Sequence, residues 1–147
     1  MQKQNIVKQI AQELEAGFEC YFNVKTEEII GIPKFFDVFA EDELLEAFHE
    51  DLKKVEEQES DFIKFEVPES FESFKIMERF TAQLSDRALQ AELEQILGRS
   101  KPFRNFKYRI DHSDVRQDWF AFRQQELEKL VEAELSAEGY QGPNTAG

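Results

Sequence analysis

Apolar positions fall at helical intervals along most of this chain and switch to strict alternation in only two places. From Asn5 to Leu14, Ile6, Val7, Ile10 and Leu14 share one stripe while lysines and glutamines face outward, and Gly17 is placed to stop the helix. The period then changes. Cys20, Phe22 and Val24 alternate with Glu19, Tyr21 and Asn23, and Ile29, Ile30 and Ile32 follow before Pro33, which predicts a β-hairpin. Its turn, Lys25-Thr26-Glu27, lacks the Gly or Asn of a tight primed turn, so a longer and looser connection is expected. A helix opening near Asp42, or at Ala40 and Glu41, carries Leu44, Leu45, Phe48, Leu52 and Val55 on one face. "DFIKFEVP" sets Phe62 (with Ile63), Phe65 and Val67 in alternation and ends at Pro68, a third strand.

The remainder reads as four helices. Ser70 is placed to cap one with Phe74, Met77, Phe80 and Leu84 inside, and Ser85-Asp86 to open the next, with Ala88, Leu89, Leu93, Ile96 and Leu97 inside and Gly98 as its end. "GRSKPFRNFKYRI" continues with Ser100 as cap and Pro102 in the first turn. At 100° per residue, Phe103, Phe106 and Ile110 then form a core stripe, while Arg104 with Tyr108 and Asn105 with Arg109 lie on other strips. The longest signal starts at Ser113 or Asp114 and buries Trp119, Phe120, Phe122, Leu127, Leu130 and Val131, with Gly139 ending it. The expected fold is α+β: a small antiparallel sheet, hairpin plus third strand, packed by about six helices, with an all-helical C-terminal half. One domain over 1–138 and a loose tail over 139–147 follow from the length and the patternless "YQGPNTAG".

Composition supports a packed, cytoplasmic protein: 41% of residues are hydrophobic, fifteen are Phe, and no stretch reads as a signal peptide or membrane span. Charge is more informative. Residues 1–98 hold ten Lys/Arg against twenty-three Asp/Glu, the whole of the chain's net −13, whereas 99–147 hold eight of each. Such a balance repels nucleic acid and anionic lipid at long range.

Catalytic and cofactor chemistry finds little to build on. The single cysteine, Cys20, excludes an internal disulfide and a Cys-based zinc site, and its inward place on a strand predicts an inert thiol. His49 and His112 are far apart; Glu46, His49 and Glu50 can share a helix face, but a solvated acidic surface explains them, and no metal or other cofactor is expected. "HSD" at 112–114 cannot form a relay from adjacent residues, and helix capping accounts for it. No glycine-rich phosphate loop is present, and pairs among thirty-one acids carry no information about glycoside chemistry.

The basic stretch is the exception: Arg99, Lys101, Arg104, Lys107 and Arg109 occur without an acid among them. The leading expectation is that these cations pair with acids of the same chain. Binding of an acidic partner or ligand is the alternative, with nucleic acid behind it.

Four passages, in order, resemble uncharacterised protein family 0158, a mostly bacterial group: "CYFNVKTEEII", "IKFEVPESFESFKIMERF", "GRSKPFRNFK" and "DWFAFRQQEL", spanning about residues 18–130. The family's hairpin often turns through Thr-Gly-Glu, where this chain has Glu27 in the glycine's place. The resemblance implies a small α+β domain and nothing about substrate, since no activity is established for the family. It directs attention to Gly98, Arg99, Phe103, Arg104, Phe106, Lys107, Trp119, Phe122 and Arg123. Helical periodicity accounts for the aromatic residues but not for Arg104, Lys107 and Arg123. The candidate binding residues are therefore Arg99, Lys101, Arg104, Lys107, Trp119 and Arg123, in a groove with Trp119 at its floor and the cations at its rim. Three function classes remain: a non-enzymatic interaction domain that binds a protein partner or itself, a nucleic-acid-associated regulator using 99–109, and an enzyme acting on an anionic small molecule. The first is preferred.

Overall fold

The computed structural model describes residues 2–33 and 42–140, which separate into two compact units. One comprises the described residues up to Val67 with those from Leu127 on; the other is Pro68–Glu126. The α+β expectation holds, with six α-helices and a three-stranded antiparallel sheet among the described residues.

The sheet unit begins with helix α1 (Gln2–Glu15), then strands β1 (Phe18–Asn23) and β2 (Ile29–Pro33). Helix α2 (Asp42–Glu57) and a single 3-10 turn (Glu59–Asp61) lead into β3 (Phe62–Phe65). The strand order is β2-β1-β3, so the third strand pairs with β1 rather than extending the hairpin beyond β2. The register sets Cys20 opposite Phe65 and Gly31, and Phe22 opposite Ile63 and Ile29. Because side chains alternate, Cys20, Phe22, Ile63 and Phe65 point to one face. There they pack with Ile6, Val7, Ile10, Ala11 and Leu14 of α1 and with Leu127, Val131, Leu135 and Tyr140. Ile30 and Ile32 point the other way, onto Phe48, Leu52 and Val55 of α2. Both faces of the sheet are thus covered, which is why β2 carries isoleucines at consecutive positions. Ala40, Glu41 and the side chains of Leu44 and Leu45 lie outside the described residues.

The hairpin turn is more defined than expected. Asn23, fully buried, accepts the backbone N–H groups of Lys25 (2.8 Å) and Thr26 (3.0 Å) on its Oδ1 and donates Nδ2 to Gln58 (3.3 Å). The Glu27 N–H closes on the Asn23 carbonyl at 2.7 Å, and Glu27 takes φ 65°. A non-glycine residue therefore adopts the left-handed conformation that glycine serves most cheaply. Tyr140 holds it there: its hydroxyl donates to Glu27 Oε2 (3.1 Å) while its ring meets Phe22 edge-on at 5.1 Å. Val24, expected to point inward, lies in the turn and is exposed.

The helical unit contains α3 (Ser70–Ala82), α4 (Arg87–Leu97), α5 (Pro102–Asp111) and the first half of α6 (Arg116–Ala137), whose second half belongs to the sheet unit. Its core is Ile76, Met77, Phe80, Leu89, Leu93, Phe106, Ile110 and Trp119. The Trp119 ring is enclosed edge-on by Phe80 (5.2 Å) and Phe106 (5.1 Å). Asp86 caps α4 as expected, accepting from the Leu89 N–H at 3.1 Å. The cap of α3 is Glu69 rather than Ser70, which is already helical, and Ala88 is exposed rather than inside.

Helix α6 corrects another expectation. Leu130 is 44% exposed, and the buried positions of its second half are Leu127, Val131 and Leu135. A wheel averaged over the whole helix puts Leu130 in line with Trp119, eleven residues earlier, but each half buries its own face in its own cluster. The helix ends at Gly139 (φ 80°) with the paired terminal bonds Gly139 N–H to Ser136 (3.0 Å) and Tyr140 N–H to Leu135 (2.9 Å). Tyr140, which the sequence reading puts in the tail, is buried. Residues 141–147 lie outside the described residues.

Candidate functional site

The basic stretch enters α5 through an unusual cap. Gly98 ends α4 with φ −87°, without using the left-handed region. Lys101 uses it instead, at φ 54° and ψ 51°, immediately before Pro102 at the first helical position. Ser100 is not the cap; its carbonyl accepts from Asn105 Nδ2 at 3.2 Å. A lysine held in this conformation costs about 1 kcal/mol or more, which the surrounding turn must supply.

The five cations divide sharply. Arg109 forks onto Glu92 of α4, Nε to Oε2 at 2.7 Å and Nη2 to Oε1 at 3.4 Å, and reaches the His112 carbonyl at 3.4 Å. That hydrogen bond holds the Glu92 carboxyl below its ordinary range. Arg99, Lys101, Arg104 and Lys107 are exposed, and none makes an ion pair with a described residue. The expectation that these four pair within the chain is therefore not met among the described residues. Arg123, half-buried one turn beyond Trp119, likewise has no such pair. Trp119 itself is core, so it offers no open floor for a ligand.

The aromatic residues divide too. Phe106 and Ile110 are buried as expected, but Phe103 is 42% exposed and only meets Phe74 edge-on at 6.3 Å. Tyr108 is 67% exposed and lies against the His112 ring at 4.4 Å; His112 Nδ1 is 2.8 Å from the Tyr108 carbonyl and donates to it. Across on α3, Phe71 is 57% exposed with Lys75 Nζ 5.7 Å from its ring centre. Phe71 lies one turn before Phe74, so Phe71, Phe74 and Phe103 make an aromatic strip over two helices, bordered by Lys75, Arg104 and Lys107. Phe71 and Lys75 were not singled out from sequence. The available signal was that Phe71 falls off the Phe74, Met77, Phe80 stripe.

This face also carries Glu78, exposed one turn beyond Phe74 and Lys75. Elsewhere, Ser113 Oγ donates to the Ile110 carbonyl (2.7 Å) and accepts from the Val115 N–H (3.3 Å), a local turn role. Cys20 is pushed up to about 12, first by burial and then by the Glu13 carboxylate, so its thiol stays protonated near neutrality. Among the described residues no cluster of His, Cys, Asp or Glu is arranged to hold a metal, and no helix is long and apolar enough to cross a membrane.

A family model described as Uncharacterised protein family (UPF0158) matches residues 31–138. The chain belongs to this family. The match covers both helices of the aromatic strip and the whole basic stretch, but begins inside β2, so most of the hairpin lies outside it. No curated protein and no solved structure matches the chain. Within UPF0158, the passages that carried the resemblance acquire structural explanations here: Met77 and Phe80 are core, and Arg79 donates Nε to buried Glu126 at 3.2 Å. Arg104, Lys107 and Arg123 make no comparable ion pair among the described residues, and the family description assigns no activity.

Proposed function

We propose that this UPF0158 protein is a non-enzymatic interaction module whose helical unit docks an acidic protein partner on the exposed side of α3 and α5. The observation that carries the reading is the division of the cations: among the described residues, Arg109 alone of the basic stretch pairs with an acid, while Arg99, Lys101, Arg104 and Lys107 are exposed, as are Phe71, Phe103 and Tyr108. Exposed aromatic rings with unpaired cations suit a partner offering carboxylates around apolar side chains. Four like charges on one short stretch repel one another, and an acidic partner relieves that repulsion.

Fluorescence anisotropy with a labelled Glu-rich peptide tests this, at ~0.05 M and ~0.3 M salt. Saturable binding that weakens roughly 3- to 30-fold in R104Q/K107Q, as expected for the loss of two exposed pairs, supports it. Absence of binding at the lower salt overturns it. A single-stranded oligonucleotide of equal charge serves as competitor, because the exposed rings could also stack on bases. Tighter binding of the oligonucleotide replaces this reading with a nucleic-acid one.

A further inference from the structure

The charge partition follows the structural units. The helical unit, Pro68–Glu126, carries ten Lys/Arg and ten Asp/Glu, whereas the rest of the chain carries eight against twenty-one, so the whole net charge of −13 resides in the sheet unit and its flanking residues. Unpaired acids stand there in order. On α2, Phe48, Leu52 and Val55 pack on the sheet, and Glu46, Glu50, Lys53 and Glu57 lie on the opposite side of the helix, exposed, three carboxylates to one ammonium. None of the three carboxylates makes an ion pair with a described residue. Among the described residues, the same chain thus displays cations without an ion pair on one unit and a stripe of net negative charge on the other.

We infer that the acidic partner of the α5 face is a second copy of this chain, with Arg104 and Lys107 of one copy meeting the Glu46, Glu50 and Glu57 stripe of the other. This rests on the docking reading above and gives it an occupant. A head-to-tail contact either propagates or closes, and made twice about a two-fold axis it closes as a dimer in which each copy both gives and receives. Phe103, between the two cations' helix and α3, supplies the apolar contact that charge alone lacks. The mutual repulsion of two acidic chains is cut by screening over about 8 Å at physiological salt, while pairs in contact are screened much less.

Sedimentation velocity at ~0.15 M salt and about 100 µM protein reads the outcome, a range in which a micromolar complex is populated. The wild-type chain is expected as a dimer, and R104E/K107E and E46K/E50K/E57K each as folded monomers by circular dichroism. An equimolar mixture of the two variants is expected to sediment as a dimer, because each reversed surface then meets its complement. A wild-type monomer overturns the inference, as does a dimer that R104E/K107E leaves intact. Failure of the mixture to associate, with both variants folded, also overturns it. If the wild type is monomeric yet binds the Glu-rich peptide, only the second-copy occupant falls; if it does neither, the docking reading falls as well.

Discussion

Two phenylalanines three residues apart on α5 should differ severalfold in what they contribute to stability, and the difference decides whether an exposed face exists. Phe106 is 1% exposed, with Trp119 edge-on at 5.1 Å. Truncating it removes the transfer free energy of the ring and leaves a cavity beside Trp119 and Phe80, a loss of about 3–5 kcal/mol. Phe103 is 42% exposed, so only about half of the ~1.5–3 kcal/mol for burying such a side chain is at stake, roughly 1 kcal/mol, and no closed cavity forms. Urea unfolding followed by tryptophan fluorescence is the assay, since Trp119 is the only tryptophan and belongs to the helical unit. F106A should shift the midpoint several times further than F103A at unchanged slope. Equal losses would place Phe103 in the core and remove the aromatic half of the proposed face. F103A should also weaken self-association, whereas wild-type dimerisation in that variant would leave the ring without a role.

The turn around Asn23 offers a second test: N23A deletes two accepted hydrogen bonds at a buried site and should cost about 2–3 kcal/mol in thermal or urea unfolding, with a loss under 0.5 refuting its organising role. Replacing Glu27, at φ 65°, with glycine relieves backbone strain but forfeits the Tyr140 bond, so E27G should be near neutral in the wild type and stabilising by about 1 kcal/mol in a Y140F background, measured as a double-mutant cycle. Cys20 should resist a thiol reagent at pH 8 until the chain unfolds. Its folded value of about 12 exceeds the ordinary 9.0, so the unfolded chain ionises first; stability is fully present below about pH 9 and declines as pH rises toward 12, and C20S should flatten part of that decline in pH-dependent unfolding.

Local periodicity made most elements legible, and its failures have identifiable causes. The α1 stripe, the alternation in β1 and the Asp86 cap are short-range signals that tertiary structure had no reason to override, whereas in β3 Phe62 faces away from Ile63 and Phe65. Phe103 sits on the right wheel position, but it lies in the first turn of α5, where the core has run out and only the edge of Phe74 reaches it. Leu130 misleads because one stripe was drawn along a helix whose halves feed two clusters. Tyr140 carries no periodic signal at all; its burial depends on Phe22 and Glu27, more than a hundred residues earlier. The cations of α5 were visible as composition. Which of them had a partner was not, since Arg109 finds Glu92 only once α4 and α5 pack.

The chain's net charge also bears on what kind of partner it can hold. The field of a chain of net charge −13 is screened over about one Debye length, ~8 Å at physiological salt, and within that range it disfavours the approach of a polyanion. Long-range steering therefore works against a nucleic acid, and equally against an acidic protein. On the proposed reading binding is won in contact, with Arg104 and Lys107 acting at a few ångströms and exposed Phe71 and Phe103 adding apolar surface that salt does not weaken. A partner held mainly by counterion release loses affinity steeply as salt rises. One held by both terms loses less, because the repulsion is screened along with the attraction while the aromatic contribution persists. Exposed rings beside unpaired cations are thus the combination suited to a protein contact on an otherwise acidic chain.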